Sequence, residues 1–167
     1  GYQHVEHTFE PVFDEHSKVL ILGSFPSVKS REEGFYYGHP QNRFWKLLAR
    51  LTEEEIPETI EEKKTLLLKH QIAIWDVVHS CDIVGSSDSS IKNVVPCELE
   101  KVLSSSPIRQ IYANGGKAWQ LYHRYCEKET GREAVKLPST SPANAIFTLD
   151  RLTAVWGEEL FGTENDK

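Results

Sequence analysis

The sequence predicts a three-layer α/β/α domain around a central, mainly parallel, four-stranded sheet. Short apolar runs alternate with segments of helical periodicity along the chain, which is typical of right-handed βαβ units. The length of 167 residues suits one such domain, because a chain of this size can bury a core without metal or disulfide support. We expect a single domain over residues 1–167, with its core at about residues 18–161.

Four short apolar runs predict the strands of this sheet. Parallel strands are covered by helices on both faces, so their residues are apolar in a continuous run rather than in alternation. The predicted strands are residues 18–25, 71–78, 108–113 and 134–137.

Helical periodicity and capping residues predict the segments between the strands. Asn42 is a residue type that caps helix N-termini, and Pro57 is one that occupies a first helical turn. Residues 82–93 are predicted to form a loop, residues 138–144 a turn and residues 162–167 a frayed tail. The predicted helices are residues 43–51, 57–70, 96–105, 117–129 and 145–161.

Composition excludes several classes of protein. The three cysteines form no C-x-x-C pair, which argues against a zinc or iron–sulfur site. We expect no metal and no organic cofactor. No apolar run is long enough to predict a membrane-spanning helix or a secretory signal, so we expect a cytoplasmic protein. The net charge of -6 argues against a generally basic surface that binds nucleic acid.

The unusual residues lie where the predicted strands end. Residues 23–42, 76–82, 114–117 and 138–144 lie at these ends, and ligands bind at this edge of a parallel sheet. The loops are rich in amide and aromatic side chains and lead into helix N-termini. Amides read the edge of a nucleobase, rings stack on its face, and helix N-termini hold phosphates. This edge therefore predicts a pocket for a nucleobase whose backbone is held nearby.

The residues alone also permit other interpretations. Asparagines at strand ends serve as caps and turn formers, and aromatic side chains in loops serve for packing. No nucleophile-elbow, P-loop, dinucleotide-binding or zinc-protease motif identifies a known catalytic set. A serine hydrolase would take its nucleophile and base from Ser24, Ser27, Ser139 or Ser141 and from His39 or His79.

Two segments resemble the motifs of the uracil-DNA glycosylase superfamily. Residues 23–27 (GSFPS) and 34–45 (GFYYGHPQNRFW) resemble its first motif region, closest to the mismatch-specific branch, and residues 137–144 (LPSTSPAN) resemble its second motif. The resemblance spans about residues 18–160. Phe25 stands where uracil-removing members carry a catalytic Asn or Asp, and phenylalanine cannot polarise water. The pattern GSFPS together with LPSTSPAN is similar to the hypoxanthine-DNA glycosylase branch.

The resemblance implies a monofunctional glycosylase that flips deoxyinosine out of DNA and hydrolyses its N-glycosidic bond. It implies that Asn42 and Asn114 are the catalytic residues: Asn42 as an amide that hydrogen-bonds the base or positions the attacking water, and Asn114 as the residue that reads the base. We expect Phe25 or Tyr37 to stack on the flipped base. Base binding is expected from Gly23, Ser24, Phe25, Tyr37 and His39. DNA binding is expected from Ser27, Ser30, Arg31, Lys117, Ser139, Thr140, Ser141, Pro142, Ala143 and Asn144, with Pro142 and Ala143 entering the gap left by the base.

Two further functions stay open: a mismatch-type uracil or thymine glycosylase with the same fold, and a non-catalytic binder of damaged DNA. In each case the expected partner is damaged double- or single-stranded DNA, bound by a monomer that is nucleoid-associated in a prokaryote. The acidic total permits this partner, because residues 53–62 carry -6 and residues 158–167 carry -3, which leaves +3 elsewhere. We expect the glutamate-rich segment to face away from the DNA and the binding to be modest and salt-sensitive.

Overall fold

The computed structural model describes residues 1–162, and its centre is a sheet of four parallel strands. The order in this sheet is β3-β2-β6-β7, and each neighbouring pair is parallel. The predicted fold class, an α/β domain built on a central parallel sheet, is confirmed. The strands of the described chain are β1 Gln3–Glu6, β2 Val19–Gly23, β3 Ile72–Asp76, β4 Val78–Ile83, β5 Lys92–Pro96, β6 Gln110–Asn114 and β7 Ala134–Leu137.

Helices surround this sheet and complete the core. Phe44 in α2 packs edge-on against Trp156 in α7 at a centroid distance of 6.2 Å, and both side chains are fully buried. β2 and β3 are buried at every position, which explains why their sequences are continuous apolar runs. The helices are α1 Val28–Glu33, α2 Phe44–Thr52, α3 Ile60–Lys69, α4 Glu100–Leu103, α5 Gly116–Tyr125, α6 Glu127–Thr130 and α7 Leu149–Leu160.

The strand register brings the candidate site residues to one edge of the sheet. Gly23, the last residue of β2, lies beside Asp76, the last residue of β3. Asn114, the last residue of β6, lies beside Leu137, the last residue of β7. Because the four strands run in the same direction, the loops that follow them meet at this edge.

A second, antiparallel sheet with the order β1-β4-β5 is absent from the prediction. β1 is largely exposed and pairs with a strand far along the chain, so no local apolar pattern reveals it. The predicted strand at residues 71–78 is two strands separated at Val77, whose N–H donates to the Gly23 carbonyl at 2.9 Å. β5 begins within the predicted 82–93 loop and ends at Pro96, and only Glu100–Leu103 of the predicted 96–105 helix is helical, as α4.

The start of α3 differs from the prediction for a local reason. The helix begins at Ile60 rather than at Pro57, because Thr59 and Glu62 form a capping box. The Thr59 hydroxyl accepts the Glu62 N–H, and the Glu62 carboxylate accepts the Thr59 N–H. This T-x-x-E spacing is a stronger start signal than a proline two residues earlier.

Two later helices also differ from the prediction. α7 begins at Leu149 rather than at residue 145, because the Thr148 side chain caps it by accepting a backbone N–H. The predicted helix at residues 117–129 is interrupted at Cys126, which ends α5 and precedes α6. Apart from its first residue, the predicted frayed tail at residues 162–167 lies outside the described residues.

The cysteines serve as packing residues. Cys81, Cys97 and Cys126 are buried free thiols. Burial raises the pKa of Cys81 and Cys126 to about 11 and also raises that of Cys97, so all three stay protonated at neutral pH. No helix within residues 1–162 is long and apolar enough to cross a membrane. Within the same residues, no three His, Cys, Asp or Glu side chains are grouped to hold a metal ion.

We predict that Thr59→Ala lowers the free energy of unfolding by about 1 kcal/mol, because it removes the oxygen that caps α3. Chemical denaturation measures this change. Thr59→Ser keeps the capping hydroxyl and should stay close to the unsubstituted protein. An equal loss in both variants would contradict the role of the capping box.

Candidate active site

A cavity of about 310 Å³ opens at the carboxyl ends of the four parallel strands. This volume is at the lower end of the range for small-ligand pockets. The loops that the sequence predicts to converge do so around this cavity. The predicted site residues that line it are Gly23, Ser24, Phe25, Ser27, Ser30, Tyr37, His39, Asn42, Asn114, Ser139, Thr140, Ser141, Pro142 and Ala143.

Three residues predicted to bind DNA lie outside the cavity lining. The Arg31 guanidinium donates to the Gly85 carbonyl at 2.7 Å. Asn144 donates from Nδ2 to the Ser139 carbonyl at 3.0 Å, so its side chain stabilises its own loop. Lys117 lies in the first turn of α5. These three side chains therefore do not take part in the cavity wall.

One buried threonine connects the two asparagines that are expected to act on the base. The Thr140 hydroxyl donates to Asn42 Oδ1 at 2.8 Å and accepts from Asn114 Nδ2 at 3.0 Å. The Thr140 backbone N–H donates to Asn114 Oδ1 at 3.0 Å. These three bonds fix the orientation of both amides, and they tie the loop after β7 to the segments that follow β2 and β6.

The Asn42 amide has one atom bound to the protein and one that is available. Asn42 Oδ1 also accepts the Phe44 N–H at 2.9 Å. α2 begins at Phe44, and Arg43 rather than Asn42 occupies the N-cap position. Asn42 lies one position before the cap, and its side chain still supports the start of the helix. Asn42 Nδ2 makes no hydrogen bond within the described part of the chain, and its N–H groups remain free to donate to a ligand.

Tyr37 offers its hydroxyl to the cavity, while Phe44 occupies one face of its ring. The two rings stack at a centroid distance of 4.0 Å and an angle of 20°. This face of the Tyr37 ring is therefore not available for the stacking on the base that the sequence predicts for Phe25 or Tyr37. The Tyr37 hydroxyl is buried and has no well-formed hydrogen bond among residues 1–162. Burial, and then the negative charge of Asp76, raise the pKa of Tyr37 far above its ordinary value. The hydroxyl therefore keeps its proton and can act as a donor.

The sequence prediction missed some of the residues that line the cavity. Among them, Asp76 is the residue most able to interact with a ligand, because it is a nearly buried carboxylate at the end of β3. The available signal was a single acidic residue directly after the apolar run Ile72–Trp75, at a strand end already assigned to the site. The lining residues without a predicted role are Pro26, Tyr36, Asp76, Ser86 and Asp88.

Asp88 holds Ser24 in the wall of the cavity. The Ser24 hydroxyl donates to Asp88 Oδ1 at 2.9 Å. Desolvation of the carboxyl group by the surrounding protein raises the pKa of Asp88. The Ser24 hydrogen bond, and then the charge of Lys117, oppose this rise. No hydrogen bond within residues 1–162 joins a serine hydroxyl to a histidine ring. The geometry therefore gives no support to a serine hydrolase with a histidine base.

Arg43 fixes the loop that follows β7, and its role was not predicted. Its guanidinium donates to the carbonyls of Ser141 at 2.8 Å, Asn144 at 3.1 Å and Thr140 at 3.3 Å, and also to that of Phe147. Four backbone carbonyls of one loop thus converge on a single cation. The planar, multidentate guanidinium suits this geometry, whereas a lysine ammonium does not.

Comparison with known families agrees with this architecture. Residues 10–158 match the profile of the family described as the Uracil DNA glycosylase superfamily. The chain belongs to this superfamily. The match includes both motif regions and the loops that form the cavity, so the resemblance stated from the two motifs is confirmed. β1 and His7 lie outside the matched residues.

Individual relatives within the superfamily cover nearly the whole chain. A protein named Hypoxanthine DNA glycosylase from Methanosarcina acetivorans is 36% identical over 149 residues, which are 88% of this chain and 93% of the relative. A protein of the same name from Methanosarcina barkeri is 31% identical over 152 residues, or 90% and 94% of the two chains. The solution NMR structure of a uracil DNA glycosylase candidate from M. acetivorans has a TM-score of 0.74 and 34% identity, and covers 92% of this chain and 94% of its own.

Part of the acidic segment lies away from the cavity. Glu54 contacts Lys69 and His70, each at 2.8 Å. Lys69 and His70 immediately precede β3, at the amino end of the sheet and opposite the cavity. The glutamate charge here is offset within the protein.

We predict that Thr140→Val lowers the free energy of unfolding by about 1–3 kcal/mol, because the two asparagines lose their shared hydroxyl. Urea denaturation measures this change. Thr140→Ser retains the hydroxyl and serves as the matched control. If valine is tolerated as well as serine, the hydrogen bonds to Asn42 and Asn114 do not stabilise the site.

Proposed function

We propose that this protein is a monofunctional DNA glycosylase that hydrolyses the N-glycosidic bond of deoxyinosine and releases hypoxanthine. The observation that carries the proposal is the pair of asparagine amides that Thr140 orients at the cavity. Two relatives named for hypoxanthine, at 36% and 31% identity over nearly the full chain, support the choice of base. Phe25 at the first-motif position supports a mechanism without a carboxylate there.

The cavity requires that the base leave the DNA helix. A base stacked in a duplex cannot enter an enclosed pocket, so the target nucleotide must rotate out of the stack. Extrusion costs a few kcal/mol and is cheapest for a base that is already mispaired. The pairing defect of a deaminated base therefore contributes to selection before any contact inside the cavity.

We propose that Asn42 assists departure of the base. Cleavage of the glycosidic bond leaves positive charge on the sugar and negative charge on the purine, and water then attacks the sugar. Asn42 Nδ2 is a free donor on a side chain that two hydrogen bonds already hold. A donor oriented before the reaction stabilises the developing negative charge without a further cost of reorganisation.

Asn114 and Phe25 supply the expected contacts to the flipped base. Each end of the Asn114 amide has one hydrogen bond to Thr140, which leaves one N–H and one lone pair for the edge of the base. Phe25 lines the cavity and is the expected stacking surface. His39, Gly23 and Ser24 complete the proposed base-binding set.

DNA binding outside the cavity is proposed to come from short polar side chains and a few cations. Pro142 and Ala143 are exposed on the loop that Arg43 fixes, and we propose that they enter the gap left by the base. We propose that the chain acts as a cytoplasmic, nucleoid-associated monomer on double- or single-stranded DNA, without metal or organic cofactor. The proposed phosphate contacts are Ser27, Arg31, Lys117, Ser139, Ser141 and Asn144. Ser30 and Thr140, which the sequence analysis also assigns to DNA binding, are buried, and their hydroxyls make hydrogen bonds within the protein.

The direct test incubates the protein with oligonucleotides that carry inosine, xanthine, uracil or a thymine mismatch, followed by alkaline cleavage at abasic sites. We expect strand scission at inosine. Binding to inosine-containing DNA without scission would support a non-catalytic binder instead. Scission only at uracil or mismatched thymine would support the mismatch-type alternative.

We predict that Asn42→Ala lowers the single-turnover rate of inosine excision by about 100- to 1000-fold, because one transition-state donor is lost. Gln41→Ala is the matched control, since Gln41 is an exposed neighbouring amide that does not line the cavity. Full activity of Asn42→Ala would exclude the role of Asn42.

A further inference from the structure

A buried histidine–aspartate pair forms part of the cavity wall and has no role in the steps above. His7 Nε2 lies 2.8 Å from Asp76 Oδ2, and the two side chains are 2% and 5% exposed. Asp76 lines the cavity, while His7 directly follows β1 in the second sheet. The rings of Phe9, Tyr36 and Phe25 surround the imidazole at centroid distances of 4.5, 5.8 and 6.2 Å.

The two oxygens of the Asp76 carboxylate have different surroundings. Oδ2 is occupied by His7, whereas Oδ1 accepts no hydrogen bond within residues 1–162 and lies over Gly23. A Cβ at position 23 would be 2.4 Å from Asp76 Oδ1 and 3.0 Å from the Tyr37 hydroxyl, so only glycine leaves room for both groups. An acceptor and a donor that have no hydrogen-bond partner in the described chain therefore both border the space above Gly23.

His7 contacts Asp76 through a single hydrogen bond. His7 Nδ1 is buried without a hydrogen-bond partner in the described chain. A neutral ring that donates from Nε2 leaves only a lone pair unpaired at Nδ1, whereas a protonated ring would leave a buried N–H unpaired. The neutral ring is the less costly state, so His7 orients Asp76 by one hydrogen bond and does not neutralise it.

We propose that Asp76, oriented by His7, recognises the chemical change that deamination makes in a base. Hydrolytic deamination replaces an amino group and a ring-nitrogen lone pair with a carbonyl and a ring N–H, both in adenine and in cytosine. An ionised carboxylate only accepts hydrogen bonds, so Asp76 Oδ1 pairs with the ring N–H of the deaminated base. The Tyr37 hydroxyl donates to the adjacent carbonyl.

This recognition rests on the proposed function and extends it from one base to a chemical class. Adenine and cytosine present a lone pair where the deaminated base presents N–H, so the carboxylate faces another acceptor and stays unpaired. A site built to hydrogen-bond one group discriminates strongly against an analogue that lacks it. Asp76 is the proposed base-binding residue, and His7 is a positioning residue that acts through it.

The test compares two substrates that differ at the ring N–H. Inosine and 6-methoxypurine both carry an oxygen at position 6, but the methoxy base has a lone pair at N1. We expect the unsubstituted protein to prefer inosine. Asp76→Asn should reduce the rate of inosine excision by about 10- to 100-fold. It should also lower the ratio of the excision rates of inosine and 6-methoxypurine, because an amide can also donate to a lone pair. His7→Phe should narrow the ratio, and His7→Gln, which retains a donor, should restore it.

The readout separates this proposal from protein folding and from the proposed function. The ratio of the excision rates of two substrates, measured on one protein preparation, does not depend on the fraction of the protein that is folded. Asp82→Asn is the matched control, because Asp82 and His4 form a second pair at 2.9 Å that does not line the cavity. Inosine excision with an unchanged ratio in Asp76→Asn would overturn the role of Asp76 and leave the proposed function intact.

Equilibrium binding of free hypoxanthine and adenine provides a second readout that does not require excision. We expect hypoxanthine to bind more tightly than adenine, and Asp76→Asn to reduce that preference. If the protein excises no inosine, the proposed function fails, and this measurement still decides the role of Asp76. An equal preference for hypoxanthine over adenine in the unsubstituted protein and in Asp76→Asn would overturn the role of Asp76.

Discussion

The candidate site depends on the hydroxyl of Thr140. Thr140 carries no charge and lies in a loop, yet it makes three hydrogen bonds to the side chains of Asn42 and Asn114. A buried polar group that loses its partner costs more than an average hydrogen bond gains, so the three residues are stable in this arrangement only together. Arg43 extends the same rigid unit by holding four carbonyls of the loop after β7.

A second constraint comes from the space above Gly23. The parallel register places Gly23 beside Asp76, and the absence of a side chain on Gly23 allows the Asp76 carboxylate and the Tyr37 hydroxyl to lie close together. The amides of Asn42 and Asn114 therefore share the cavity with a fixed acceptor and a fixed donor. The cavity wall therefore offers both hydrogen-bond donors and a hydrogen-bond acceptor to a ligand.

Much of the central layer follows from the sequence, because strands buried on both faces must be apolar throughout. β2, β3, β6 and β7 each lie within or close to a predicted apolar run. The errors lie where neighbouring residues do not decide the structure. β1 is exposed and pairs with β4, which lies far along the chain. The starts of α3 and α7 are different, since the T-x-x-E spacing of Thr59 and Glu62 and the capping residue Thr148 are local features of the sequence.

The sequence by itself determined the family, the central sheet and most of the cavity lining, because these depend on local apolar runs and on two contiguous motifs. Only the tertiary structure decided how the side chains work together. The bonds from Thr140 to the two asparagines join loops 26 and 98 residues apart in the chain. The pairing of Asp76 with His7 joins the two sheets. A hydrogen bond of a few ångströms between such distant residues has no periodic or compositional signal, so it is visible only once the chain has folded.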